Sequence, residues 1–165
     1  MSNPVGSKTP SALRQVLALI GWLLFCFIAS ASAAFIPIGT WYQSLNKPSW
    51  NPPAWIFGPV WTVLYILMAV AAWLVWREGG WNRQKLALGL FVGQWILNAI
   101  WTPLFFGLHL IGLAFIDIAM LWLMIAATTF AFWRVSKPAG LLLLPYLAWV
   151  SFASVLNFVL WRLNG

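Results

Sequence analysis

LIGLAFIDIAMLWLMIAATTFAFW, residues 110–133, is a 24-residue run that carries one charge, Asp117. About 20 consecutive apolar residues suffice to cross a bilayer as a helix. Working outward from this run, four more stretches of similar character lie at residues 15–36, 54–76, 86–107 and 139–161. An open strand edge has no hydrogen-bonding partner in hydrocarbon, and the alternation of a membrane β-barrel is absent, so the runs read as helices. The fold class expected is an all-α membrane protein, a five-transmembrane-helix bundle.

The composition agrees. Of 165 residues, 63% are hydrophobic and 7% charged, too few charges to coat a soluble domain and too much apolar surface for a disordered chain. The net charge of +7 does not indicate nucleic acid, because the nine basic residues flank the apolar runs singly or in pairs. Alternating the connections across a bilayer puts Lys8, Arg14, Arg77, Arg83, Lys85, Arg134 and Lys137 on one side, and Lys47 and Arg162 on the other. In a bacterial cell membrane that asymmetry predicts the N-terminus inside, with the basic residues setting topology and meeting anionic headgroups. Cys26 is a lone thiol within an apolar run, so neither an internal disulfide nor a metal cluster is expected.

One domain is expected, residues 13–165, preceded by a disordered polar tail over residues 1–12. The first run carries a second reading. Lys8 and Arg14, an apolar stretch and Ala29-Ser30-Ala31 have the layout of a cleavable signal peptide. Apolar character continues through Phe35 and Ile36, long enough to span, which favours a retained helix with small residues for close packing.

Between the first two runs the sequence changes. WYQSLNKPSWNPPAWIFGPVWTVLY, residues 41–65, contains four tryptophans, two tyrosines and four prolines. Aromatic rings with a polar tip favour the membrane–water boundary, and prolines stiffen a loop that lacks a helical or sheet partner. Trp41, Lys47, Trp50 and Trp55 therefore read as a rigid lid. Within the helices, Trp61 and Tyr65 lie one turn apart. Gln94 and Asn98 lie at i and i+4, with Thr102 continuing the line, and Tyr146, Trp149, Ala153 and Asn157 share a face. Amides on an apolar helix turn inward because lipid cannot satisfy them; whether they meet a ligand or only another helix stays open. Trp101 also sits deep enough to face the bundle, whereas Trp22, Trp73, Trp76, Trp81, Trp133 and Trp161 read as interfacial anchors. Asp117, the only acid inside a span, must face protein, be protonated or find a partner; ligand contact and a structural hydrogen bond are both open. His109, in a turn, reads as solvated or as a conceivable haem ligand. Pro59, Pro103 and Pro145 are expected to kink three helices. Gly89 and Gly93 form a close-packing spacing on the third helix.

Three motifs in order, the 41–65 segment, LNAIWTPLFFG at 97–107 and PYLAWVSFASVLN at 145–157, resemble the TspO/MBR family. These are the tryptophan-rich sensory proteins of bacteria, whose animal relatives are translocator proteins or peripheral-type benzodiazepine receptors. The resemblance covers about residues 35–162. It implies a five-helix bundle, a homodimer through the helix of Gly89 and Gly93, and tetrapyrrole ligands such as protoporphyrin IX and haem, with sterols and synthetic benzodiazepine-site ligands besides. Its ligand cavity corresponds to Tyr42, Trp61, Asn98, Trp149 and Ala153. One departure concerns sterols: the family's sterol-contact pattern needs a tyrosine where this chain has Phe158, upstream of Arg162, so lipid or sterol binding through an incomplete motif is in doubt.

The expectation is a receptor or sensor that takes a planar tetrapyrrole between helices, with Tyr42, Trp61, Tyr65, Gln94, Asn98, Trp101, Asp117, Tyr146, Trp149 and Ala153 as ligand residues and Lys47 drawing a propionate. No cofactor is required, the porphyrin or haem being ligand, and no metal site is expected. A porphyrin transporter is the alternative, although no ion-coupling site or inverted repeat is visible. An enzymatic reading has no catalytic triad or carboxylate pair to stand on. The family's light-dependent porphyrin degradation needs neither, since excited pigment and oxidisable tryptophans suffice; Trp61 and Trp149 are its candidates.

Overall fold

The computed structural model describes residues 11–31, 35–36 and 39–165. The expected tail falls mostly outside these residues, as does the middle of the small-residue stretch after the first run. Ser11 accepts a hydrogen bond from the Arg14 backbone N–H and caps α1 (Ala12–Ile28). A short helix α2 (Thr40–Ser44) and a single 3₁₀ turn (Ala54–Ile56) shape the loop ahead of α3 (Phe57–Arg77). The helical turn α4 (Gly80–Arg83), entered through left-handed Gly79 and Gly80, leads to α5 (Lys85–Thr102). A π-helical turn (Pro103–Gly107) follows, then α6 (Ile111–Val135) and α7 (Lys137–Asn164).

Four helical stretches are long and apolar enough to cross a membrane: Ala54–Arg77, Lys85–Gly107, Ile111–Val135 and Lys137–Asn164. They correspond to the second to fifth runs. The first run is represented by α1, a shorter apolar helix of 17 residues. The chain is an all-helical integral membrane protein among its described residues.

The helices pack in the ring order α1–α3–α7–α6–α5. Side chains close the ring between α1 and α5: Trp22 meets Phe91 edge-on at 5.6 Å and Phe25 stacks on Trp95 at 4.4 Å. Lipid is as apolar as leucine, so packing in this setting depends on close contact and on hydrogen bonds rather than on escape from water. Ala69, Ala71 and Ala72 on α3 are fully buried small residues of this kind. Gly140 lets the α6–α7 turn close, since a Cβ there would lie 2.8 Å from the Trp133 Cβ.

The three prolines behave differently. Pro145 lies inside α7 and cannot donate to the carbonyl one turn earlier. Pro103 begins the π-helical turn, whose wider winding accommodates the missing donor; Leu108 N–H reaches back to the Pro103 carbonyl at 2.9 Å. Pro59 does not interrupt its helix. It occupies the first turn of α3, where backbone N–H groups have no intrahelical acceptor.

Candidate functional site: a tryptophan-walled cavity

Inside the ring is a cavity of about 410 Å³. Small-molecule sites span roughly 300–1,000 Å³ and are mostly apolar with a few convergent polar groups. Trp61 and Tyr65 reach it from α3, Asn98 and Trp101 from α5, and Trp149 and Ala153 from α7. Six of the ten expected ligand residues therefore meet in one space. Their elements make this possible: the α3 pair and the α7 pair each sit at helical spacing, so each presents one face inward.

The floor is a polar layer. Tyr65 Oη donates to Asn98 Oδ1 at 3.1 Å, and Tyr146 Oη donates to Gln94 Oε1 at 2.8 Å. Tyr65 and Asn98 line the cavity, whereas Tyr146 and Gln94 do not. Tyr146 is completely buried, with its ring 6.1 Å from that of Trp61, and Gln94 keeps a buried amide nitrogen without a partner among the described residues.

The tryptophans differ in what their indole N–H groups do. Trp101 donates to Asn157 Oδ1 at 3.0 Å and stacks on Phe105 at 5.0 Å; Asn157 in turn donates to the Ile111 carbonyl. That side chain is committed to joining α5, α6 and α7. Trp61 and Trp149 have no such acceptor among the described residues, and their rings rest against Tyr65 and Phe57.

Tyr42 and Asp117 stand outside the lining. Tyr42 is buried beneath the loop, where its hydroxyl donates to Asn51 Oδ1 at 3.0 Å and its ring meets Phe106. Burial pushes its phenol above the usual value, and the hydrogen bond to Asn51 opposes that rise. Asp117 is buried on α6 with one carboxylate oxygen lacking a partner among the described residues.

Of the residues expected as a lid, none lines the cavity, and Trp41, Lys47 and Trp50 make contacts that hold the loop. Trp41 stacks on His109 at 4.0 Å, with His109 in a left-handed conformation (φ 57°) at the turn. Trp50 packs edge-on against Phe152, and Trp55 is 73% exposed. The Lys47 ammonium donates to the Gln43 and Leu45 carbonyls at 2.9 and 3.0 Å and sits over the Tyr42 ring. Of the loop proper, Ala54 reaches the cavity. Sequence reading missed Phe27 on α1 and Ile118 and Leu121 on α6, all of which line it. Apolar residues in an apolar helix give no polarity signal to mark them.

Gly89 and Gly93 are not equivalent. A Cβ on Gly89 meets open space, whereas one on Gly93 would lie 2.7 Å from Met124 Cε of the same chain.

Comparison with known proteins gives the chain its family. The TspO/MBR family model matches residues 16–162. The chain belongs to the TspO/MBR family. It is 46% identical to the tryptophan-rich protein TspO of Chlorobaculum tepidum over 156 residues, 92% of this chain and 98% of that one. It is 47% identical to the human translocator protein over 126 residues, 75% of each chain. It is 40% identical to the tryptophan-rich sensory protein of Cereibacter sphaeroides over 149 residues, 87% of this chain and 92% of that one.

Proposed function

We propose that this TspO/MBR protein is a membrane receptor or sensor that binds a planar tetrapyrrole, protoporphyrin IX or haem, in the cavity between its helices. The carrying observation is the pair Trp61 and Trp149: two indoles at the cavity wall whose N–H groups have no acceptor among the described residues. They offer wide aromatic surface with few rotors to freeze and two donors for polar edges of the ligand. Asn98 and Tyr65 supply the polar floor. No cationic side chain lines the cavity among the described residues, so the apolar ring system would lie inside and the carboxylates at the mouth. Lys47, with two ammonium donors engaged by carbonyls, keeps a third for such a group.

The same reading includes five spans, the first run counted among them, with the N-terminus inside a bacterial cell membrane and a homodimer through the Gly89 side of α5. Light-dependent porphyrin degradation is the second reading, favoured by the Trp61 ring lying 5.4 Å from Tyr65 and 6.1 Å from Tyr146. Oxidisable Trp61 and Tyr65 would then border the space of a photoexcited pigment, with Tyr146 behind them.

Titration of purified protein with protoporphyrin IX, following tryptophan quenching in the dark and pigment absorbance in light, tests these readings. Saturable quenching that shifts to higher protoporphyrin concentration in Trp149→Phe or Trp61→Phe supports the receptor. Pigment loss in light that needs the same residues favours degradation. Absence of saturable quenching sinks the tetrapyrrole proposal.

A further inference from the structure

Most serine and threonine hydroxyls of the apolar runs turn back on their own helix. Thr62 donates to the Gly58 carbonyl at 2.9 Å, Thr128 to Met124 at 2.7 Å, Ser151 to Leu147 at 2.8 Å and Ser154 to Val150 at 2.7 Å. Ser30 does the same toward the Phe27 carbonyl at 2.6 Å. A hydroxyl that gives its proton to a carbonyl three or four residues earlier needs nothing from its surroundings. Among the described residues of the runs, Thr102 and Thr129 depart from this habit. Thr129 is sealed in the bundle with its oxygen buried. Thr102 is half-buried, lines the ligand cavity and makes no hydrogen bond among the described residues.

We propose that Thr102 is a ligand-binding residue whose hydroxyl donates to an oxygen on the edge of the ligand, in a carboxyl or carbonyl group. This role rests on the reading of the cavity as a ligand site. Height along α5 decides what Thr102 meets. Gln94, Asn98 and Thr102 occupy successive turns, about 5.4 Å apart. Gln94 lies beneath the floor with Tyr146, and Asn98 makes the floor with Tyr65. Thr102 stands one turn above them. Beyond it on the π-helical turn, Phe106 also lines the cavity and packs on Tyr42 of the loop. Thr102 thus belongs to the wall between polar floor and loop, the level reached by substituents of a flat ring seated on the floor.

The neighbouring polar groups have other commitments. Asn98 Oδ1 accepts from Tyr65, and the Trp101 N–H is taken by Asn157. Ser30 and Thr62 also line the cavity, but their protons are given to backbone, so toward a ligand they can only accept. Thr102 offers a proton for which no described side chain competes. No cation stands in the lining among the described residues, so a neutral carbonyl oxygen suits this donor as well as a carboxyl group does.

The test uses the full chain in nanodiscs with two pairs of probes, each pair differing in oxygen. Protoporphyrin IX carries carboxyl groups and octaethylporphyrin none; benzophenone has a carbonyl where diphenylmethane has a methylene. Tryptophan quenching in the dark gives the porphyrin affinities and calorimetry those of the smaller pair. Thr102→Val is expected to weaken an oxygen-bearing probe by about two- to tenfold, leave its oxygen-free counterpart unchanged, and be rescued by Thr102→Ser. A loss confined to protoporphyrin IX assigns the donor to a carboxyl group, and one confined to benzophenone assigns it to a neutral carbonyl. Unchanged affinity for both oxygen-bearing probes would overturn the role. So would equal losses for the oxygen-free probes, which would make Thr102 a structural residue. Native protein that binds neither porphyrin removes the tetrapyrrole reading and leaves benzophenone to decide Thr102; native protein that binds none of the four overturns both.

Discussion

Asn164 grips the backbone of Asn46 with both ends of its amide. The Asn46 N–H donates to Asn164 Oδ1 at 2.8 Å, and Asn164 Nδ2 donates to the Asn46 carbonyl at 2.9 Å. The last residue of α7 is thereby fastened to the loop that bears the aromatic residues, 118 positions earlier. A neutral intramolecular hydrogen bond is worth about 0.5–1.5 kcal/mol. Asn164→Ala should accordingly free residues 40–50 locally, raising their amide exchange about tenfold, while thermal stability falls by only about 1–2 kcal/mol. Exchange unchanged from the native protein would mean that Trp41 and Trp50 hold the loop unaided.

The three inward tryptophans should separate by phenotype. Trp61→Phe and Trp149→Phe are expected to cut protoporphyrin affinity by about tenfold, roughly 1.4 kcal/mol, with little change in stability. Trp101→Phe strands the Asn157 oxygen in the bundle and should cost about 1–3 kcal/mol of stability. Binding isotherms and thermal unfolding of the same samples would reverse this assignment if Trp101→Phe proved neutral for folding.

Tyr65 and Tyr146 make similar hydrogen bonds at different depths. Tyr146→Phe would leave both polar ends of Gln94 unsatisfied and should destabilise the fold by about 1–3 kcal/mol. Tyr65→Phe releases Asn98 at the cavity floor, so its effect should appear in ligand affinity. A Tyr146→Phe variant of native stability would imply water beside Gln94.

Substitutions at the two α5 glycines should not behave alike. Gly93→Leu must displace the flexible end of Met124 of its own chain and is expected to cost the monomer about 1 kcal/mol. Gly89→Leu meets open space and tests association cleanly. Native mass spectrometry should detect loss of dimer in Gly89→Leu at unchanged monomer stability; a dimer that persists removes this face from the interface.

Asp117→Asn keeps the shape of the side chain and removes an ionisable group whose buried oxygen lacks a partner among the described residues. The expected result is equal or higher thermal stability. A loss exceeding about 2 kcal/mol would point to a partner for the carboxylate that the single chain does not supply.

The long helices were legible because apolar length is a property of composition, independent of what each helix touches. The inward turn of Gln94 and Asn98 was legible too, since lipid offers an amide no partner, and both are buried. Depth along the bundle was not. Tyr146 shares a helical face with Trp149 and Ala153, yet it lies beneath the cavity floor with Gln94, because periodicity fixes direction and leaves height to packing. The contacts of the loop were not legible for a related reason. Tryptophan density predicts that rings will be used, but Trp41 and Trp50 found His109 and Phe152, choices set by contacts distant in sequence. Pro59 misled because its effect depends on a helix start that only the 3₁₀ turn before it defines.

The α3–α7 contact has a consequence for how the protein is made. Trp61 and Trp149 form facing parts of one wall, but α7 begins about sixty residues after α3 ends. At about 5–20 residues per second, the ribosome needs roughly 4–17 seconds to complete the missing helix. During that interval α5 and α6 can already face α3 across the cavity, through the Tyr65–Asn98 hydrogen bond and Ile118 and Leu121, but the side that α7 supplies stays open to lipid. The cavity is thus closed at the last step of synthesis, and a nascent chain stalled before residue 137 has every long helix but the one that carries Trp149 and Ala153.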